Sequence, residues 1–328
     1  MNDSIGRLIN YLRISVTDRC NYRCVYCMPP DGINAVGHSE IMRFEEILKV
    51  VRVAADYGVS KIRLTGGEPL VRHGIVDLVR MIRKVPGINE ITLTTNGYLL
   101  AKYARELKEA GLTRVNISLD TLDPDLFRKI TRNGDINSIW EGIEAVEKNG
   151  LHPLKINMVM LAGINDHEIP DFMDLTLENE WHVRFIELMP IKNQISWGEL
   201  FPDPASCYIS TRKVLERFQN KGLKPVYQVD QIGPAKLYQI PGAKGYVGFI
   251  SPVDDEHFCG SCNRLRLTAD GNLRPCLMSD LEIPVLDAIR SEKDIHELFA
   301  RVVKLKPAHH ELLLNHSPEN RTMTQIGG

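Results

Sequence analysis

The sequence predicts an α/β fold: an incomplete (β/α)6 barrel followed by a smaller C-terminal region. Three observations predict it. Strand-like and helix-like segments alternate through the first two thirds of the 328-residue chain, the pattern of a parallel sheet with helices outside. Six such units are too few to close an eight-stranded barrel, so the mouth stays wide enough for a large substrate. After about residue 190, prolines and glycines become frequent (Pro190, Gly198, Pro202, Pro204, Gly233, Pro234, Pro241, Gly242, Gly245) and the alternation stops. Residues 5–225 are read as the core domain and 226–328 as the second region.

The strands are read at Tyr11–Thr17, Lys61–Thr65, Glu90–Thr95, Arg114–Leu119, Leu154–Met160 and Val183–Leu188. Between the first two, Phe44, Ile47, Leu48, Val51, Ala54 and Ala55 recur at helical spacing. Between the fourth and fifth, Ile136, Ile139, Trp140, Ile143 and Val146 share one helix face, which ends at the left-handed cap signal Asn149-Gly150. Groups that act are then expected at the C-terminal ends of the strands. The second region reads as short strands and two closing helices, the last over Asp294–Lys304, with a tail from Pro307 to Gly327-Gly328.

The chemistry is signalled by cysteine spacing. Cys20, Cys24 and Cys27 lie in one run, separated by three residues and then two, just after the first strand. A four-iron cluster is closed by four thiolates, and three leave one iron open for chemistry. A zinc knuckle pairs cysteines differently and closes with a second pair. A second triplet, Cys259, Cys262 and Cys276, has thirteen residues between its last two members. Spacing alone divides it between three quarters of a zinc ribbon and a second cluster; the first triplet tips it towards iron. Arg264 and Arg266 alternate with Leu265 and Leu267, so both face the same side of a strand beside this triplet. Two guanidiniums there make a site for an anion or an electron-rich heterocycle. Arg13, Arg63 and Lys155 also fall within strands, where inward cations are costly without an anionic partner. Cys207 is left over and reads as an ordinary small residue.

Composition sets the bounds. Hydrophobic residues are 43%, charged residues 25% and the formal net charge is −2, which lends no support to nucleic-acid or anionic-membrane binding. No apolar run approaches the roughly 20 residues that span a bilayer, and the N-terminus lacks a signal-peptide core. The chain is expected in the cytoplasm, where thiols stay reduced and seven cysteines speak for metal rather than disulfides.

Taken together, both triplets, the run Cys-Gly-Ser-Cys-Asn-Arg-Leu-Arg-Leu and the Gly-Gly end resemble the GTP 3′,8-cyclase family (MoaA) of molybdenum-cofactor biosynthesis across essentially the whole chain. The first triplet alone resembles the wider radical S-adenosylmethionine (SAM) superfamily, whose fold is an incomplete TIM-like barrel. The resemblance implies two 4Fe-4S clusters, SAM held near Cys20, Cys24 and Cys27, and GTP as substrate. It assigns Tyr26, Gly67 of Thr65-Gly66-Gly67-Glu68-Pro69, Ser118 and Met189 to SAM. It assigns Arg13, Arg63, Thr94, Lys155, Arg264 and Arg266 to GTP, with Arg184 beside them, and the Gly-Gly terminus to the active site. Arg264 and Arg266 orient the substrate, and no side chain is singled out as a general base. The chemistry implied is abstraction of the ribose 3′ hydrogen and closure onto C8 of guanine. The partners implied are an electron donor such as flavodoxin, cyclic pyranopterin monophosphate synthase downstream, and a second copy in a homodimer. Another radical SAM enzyme, acting on peptides, would have less reason for the cations; a plain electron carrier would close its clusters with four cysteines.

Overall fold

Alternation along each strand decides which face meets the helices and which meets the barrel interior. The computed structural model describes residues 1–189, 197–227, 233–312 and 318–327. The first six strands are β1 Tyr11–Ser15, β2 Lys61–Thr65, β3 Glu90–Thr95, β4 Arg114–Ser118, β5 Lys155–Met160 and β6 His182–Glu187. They lie side by side in chain order, each parallel to the next. Leu12, Ile14, Ile62, Leu64, Ile91, Leu93, Val115, Ile117, Ile156 and Met158 are all fully buried in the main apolar core. There they pack against the helices Phe44–Asp56, Ile75–Arg83, Leu100–Glu109, Ile136–Lys148 and Ile169–Glu178. The alternate positions, Tyr11, Arg13, Lys61, Arg63, Thr94, Arg114, Asn157 and Arg184, line an internal cavity instead. A closed barrel fills its interior with branched apolar layers; this one lines it with cations and amides.

Six later strands continue the same sheet: β7 Lys224–Pro225, β8 Lys236–Gln239, β9 Tyr246–Ile250, β10 Arg264–Leu267, β11 Asn272–Arg274 and β12 Ile283–Pro284. The order is β12-β11-β10-β1-β2-β3-β4-β5-β6-β9-β8-β7. β9 joins β6 and β10 joins β1, both parallel, while the outer four strands run antiparallel to their neighbours. Consecutive strands β9 and β10 therefore flank opposite edges of the six. The chain between them must return from the C-terminal end of one edge to the N-terminal end of the other. It carries Cys259 and Cys262.

Small differences from the sequence reading have local causes. β1 stops at Ser15 rather than Thr17 because the Thr17 carbonyl is taken by the Gly67 N–H at 2.7 Å, a turn contact and not a ladder bond. The last long helix is His296–Lys304, two residues shorter than read, since the Asp294 carboxylate accepts from the His296 N–H at 3.0 Å and turns the chain into it. Gly150 takes φ +63 after the helix ending at Lys148, the left-handed turn its sequence signals. No helix among the described residues is long and apolar enough to cross a membrane.

Candidate active site: a cavity between two cysteine triplets

The first triplet sits on the loop leaving β1, at the C-terminal end of the parallel strands. Gly67 explains how the neighbouring turn reaches it: a Cβ there would lie 2.4 Å from the Arg19 carbonyl oxygen, a contact only glycine allows. The Glu68 N–H then donates to the same carbonyl at 2.8 Å. Glu68 is buried, accepting from Thr95 Oγ1 and the Asn96 N–H, both at 2.7 Å, and burial pushes its carboxyl up to about 7. Asn96 in turn points its amide at Cys20 Sγ at 3.8 Å and Asn21 Oδ1 at 2.9 Å. The Tyr26 hydroxyl donates to Asp120 Oδ2 at 2.6 Å, and Asp120 Oδ1 accepts from the Val159 N–H at 2.9 Å. Gly67, Ser118 and Met189 line the cavity on this side along with Tyr26.

The second triplet lies at the opposite end. Cys262 precedes the N-terminal start of β10, and Cys276 follows β11, which runs back antiparallel to the same end. Cys259, Cys262 and Cys276 line the same cavity as Cys20, Cys24 and Cys27. The expectation that acting groups gather at the C-terminal strand ends thus holds for one triplet and not the other. The reason is topological: β10 enters the sheet from a return crossing.

Between the triplets runs a band of cations set by register. Arg13 is paired with Arg266 on one side and Arg63 on the other, and Arg63 with Thr92. One row away, Tyr11 lies between Arg264 and Lys61. Lys61 and Arg63 stand 5.1 and 5.4 Å from the Tyr11 ring centroid. Lys61 and Arg114 both pair with Glu90, at 2.8 and 2.5 Å. Lys155 is buried but does not itself line the cavity; it stands behind the lining.

Like charges crowded in one buried band depress one another. Burial first, and then Arg184, Arg114, Arg63 and Lys61, push the Lys155 ammonium down to about 5. Burial, then Arg63 and Arg114, lower Arg184 to about 9; burial, then Arg264, lower Arg266 to about 10. Arg13 falls well below its ordinary value through burial and then Arg266. Burial alone would raise the Tyr11 phenol, but Arg63, Arg13, Lys61 and Arg264 leave it lowered. Thr94 Oγ1, Arg184 Nε and Asn157 Oδ1 are buried without a hydrogen-bond partner among the described residues. A polyanion with hydroxyl and amide groups matches this lining in charge and in hydrogen-bonding capacity.

The thiols fit clusters. Among the described residues no three Cys, His, Asp or Glu side chains converge closely enough for a single metal ion. Within each triplet the thiols are in electrostatic reach of one another: Cys24 of Cys27 and Cys20, Cys259 of Cys276 and Cys262. Burial pushes Cys20 up to about 11 and Cys27 to about 12, so these thiols ionise only when a metal displaces the proton. Burial also resists ionisation of Cys262, but Arg264 and Lys306 outweigh it and hold that thiol at about 6.

Residues 14–176 match the Radical SAM superfamily and residues 181–312 match Molybdenum Cofactor Synthesis C. The chain is 49% identical over 330 residues to a GTP 3′,8-cyclase of Alkaliphilus oremlandii, covering 100% of both chains. It is 50% identical over 332 residues to one of Moorella thermoacetica, again over 100% of each. The chain belongs to the GTP 3′,8-cyclase family. Among solved structures, Streptococcus suis SuiB bound to S-adenosylmethionine aligns with TM-score 0.63 over 90% of this chain and 66% of that one, at 17% identity. Methylornithine synthase (PylB) aligns with TM-score 0.50 over 65% of this chain and 62% of that one, at 18% identity. At these identities the likeness shows the barrel fold alone.

Within this member of the GTP 3′,8-cyclase family, the cavity gathers every residue the sequence assigned to metal, SAM or GTP except Lys155. Sequence reasoning missed Lys61 and Arg114, which also line it. Lys61 is two positions before Arg63 on one strand, so the same alternation rule could have found it. Cys207 is buried in a small separate cluster with Val25, Ile130, Leu161, Ile164 and Trp197, its sulfur 3.5 Å from the Asp203 carbonyl. That is a packing role.

Proposed function

We propose that this chain is a radical SAM lyase that converts GTP to (8S)-3′,8-cyclo-7,8-dihydroguanosine 5′-triphosphate, an early step towards molybdopterin. The observation that carries the reading is the single cavity with one cysteine triplet at each end and a cation band between. When bound, a reduced cluster and SAM supply a carbon-centred radical able to take hydrogen from the ribose.

The chain's own residues supply placement. Cys20, Cys24 and Cys27 hold the first 4Fe-4S cluster, with Tyr26, Gly67, Ser118 and Met189 around SAM. Cys259, Cys262 and Cys276 hold the second, beside the guanine. Arg13, Arg63, Thr94, Arg184, Arg264 and Arg266 grip the GTP, with Lys155 and Lys61 supporting them electrostatically. Guanidiniums suit phosphate oxygens because their forked donors bind two at once. Holding ribose and base in one orientation makes ring closure effectively unimolecular, which is where such a site gains most of its rate. The apolar and aromatic lining at Ile186, Ile250 and Phe258 helps exclude water.

The same reading divides the work between residues 5–225, which handle SAM, and 226–328, which carry the second triplet. It names an electron donor such as flavodoxin, cyclic pyranopterin monophosphate synthase as the enzyme that takes the product, and a homodimer as the working assembly. The decisive experiment is anaerobic incubation of the iron-loaded protein with GTP, SAM and dithionite. Cyclised product and 5′-deoxyadenosine are expected together, with deuterium from the GTP C3′ position recovered in the 5′-deoxyadenosine. Turnover of SAM with no change in GTP would overturn the assignment.

A further inference from the structure

The stretch after the helix His296–Lys304, read from sequence as the start of a tail, is bonded to the chain around the second triplet. Lys306 is 3% exposed. Its Nζ donates to the Arg264 carbonyl at 2.8 Å and the Pro275 carbonyl at 2.7 Å, and the Cys262 thiol lies within its electrostatic reach. An ammonium has three donors, and two of them are committed to these carbonyls. Pro275 immediately precedes Cys276, and Arg264 lies two residues after Cys262. The same stretch reaches towards the third cysteine: His310 lies near the Cys259 thiol, and its Nε2 lies 2.7 Å from the Pro252 carbonyl oxygen.

Arg7, from the other end of the chain, closes the arrangement. Its Nη1 donates to the Cys259 carbonyl at 2.9 Å and the Ala308 carbonyl at 3.1 Å, and Nη2 to the Pro307 carbonyl at 2.7 Å. Its Nε is fixed by Asp3 at 2.5 Å, and both partners are 8% exposed. Regular structure does little here. Cys259 and Cys262 lie on an irregular crossing, and β10 and β11 share only the pairs Arg266 with Arg274 and Leu267 with Leu273. Two buried cations bonded to carbonyls are costly to place and strongly destabilising to lose.

We propose that residues 306–310, pinned by Arg7, form a clasp that holds Cys259, Cys262 and Cys276 in the arrangement the second cluster requires, with Lys306 and Arg7 as positioning residues. The proposal rests on reading that triplet as a cluster site. Lys306 acts by joining the segments that carry two of the cysteines. Arg7 acts by fastening the third to the same stretch.

The test uses full-length protein in a Cys20→Ala, Cys24→Ala, Cys27→Ala background, so that any iron belongs to the second site. Iron loss to a chelator is followed anaerobically by absorbance. Lys306→Met is expected to lose iron roughly 10- to 100-fold faster than the background protein, the usual range for removing a partner of metal ligands. Arg7→Lys keeps the charge but cannot span three carbonyls, and is expected to accelerate loss in the same direction. In the chain with both triplets intact, both variants should still release 5′-deoxyadenosine, which shows that the barrel and first site are intact. A background protein that binds no iron overturns the cluster reading and the clasp with it. A background protein that binds iron and a pair of variants that release it no faster overturn the clasp alone.

Discussion

The Arg266 guanidinium donates to the Gly327 carbonyl at 2.7 Å, tying the strand beside the second triplet to the end of the chain. Gly327 has φ +75 and ends the short helix Met323–Ile326. A Cβ on it would lie 2.6 Å from Thr65 Oγ1 and 2.9 Å from Ser15 Cβ, at the C-terminal ends of β1 and β2. Ile326 is 1% exposed, so the terminus is packed. Gly328 lies outside the described residues. Gly327→Ala, or deletion of the last two residues, is expected to cut cyclised product by roughly a hundredfold through misplacement of the site. Iron content and melting temperature should hold. A free peptide ending Gln-Ile-Gly-Gly should restore part of the activity to the truncated protein. Full-rate turnover by the truncated chain would show that the terminus only packs.

Lys155 gives a proton signature. In the free protein its ammonium is pushed down to about 5 by burial and then by Arg184, Arg114, Arg63 and Lys61. At neutral pH it is therefore uncharged. A triphosphate in the cavity, acting across the lining, favours the charged form and raises its pKa again. Between about 5 and the raised bound value, GTP binding takes up a proton. Calorimetric titration at pH 7 should give heats that vary with the ionisation enthalpy of the buffer, and affinity should weaken as pH rises. Lys155→Met should remove that dependence and leave iron content alone. Buffer-independent heats in the unmutated protein would place the triphosphate away from Lys155.

What the sequence shows of this site follows the range of its signals. The six core strands are legible because Leu12, Ile14, Ile62 and Leu64 alternate with Arg13 and Arg63 within five residues. Cations so placed can only face a cavity or an anion. Register is a different matter. That Arg13 sits between Arg63 and Arg266 depends on β1 pairing with β10 from the far end of the chain, which no local window contains. For the same reason β9 and β10 read as parts of a separate small region, although they extend the barrel sheet on both edges. Cysteine spacing fixes the shape of each loop but not which end of a strand it occupies, so the opposition of the two triplets was hidden. The helix Met323–Ile326 has four residues, too few to display a period.

The triplets should separate in function. Cys24→Ala is expected to lose the first cluster, taking iron from about eight to about four per chain, and to lose all 5′-deoxyadenosine formation. Cys262→Ala should lose the same amount of iron from the second site, yet still cleave SAM while giving no cyclised product. Iron analysis, 5′-deoxyadenosine assay and product chromatography on the two proteins make the comparison. SAM cleavage surviving in Cys24→Ala would remove the first triplet from its assigned role.

Arg132 carries the last prediction. It ends the helix Pro124–Thr131 with φ +66, a left-handed conformation rare outside glycine. Its Nη1 donates to the Arg23 carbonyl at 3.0 Å and the Met28 carbonyl at 2.8 Å, across the loop that bears Cys24 and Cys27. The same helix end accepts from the Arg23 and Val25 N–H groups, at 3.1 and 2.9 Å through Thr131 and Ile130, and Asn133 Nδ2 donates to the Asn21 carbonyl at 2.8 Å. The strained backbone is therefore held by what the side chain grips. Two substitutions separate the contributions. Arg132→Ala and Arg132→Gly both lose the guanidinium, so both should release iron from the first site roughly tenfold faster or more. Only glycine relieves the backbone, so that variant should be more stable than the alanine one by about 1 kcal/mol in denaturant unfolding of the iron-free chains. Iron lifetimes at the first site unchanged in both variants would show that the main-chain bonds alone hold the loop, and that Arg132 merely covers it.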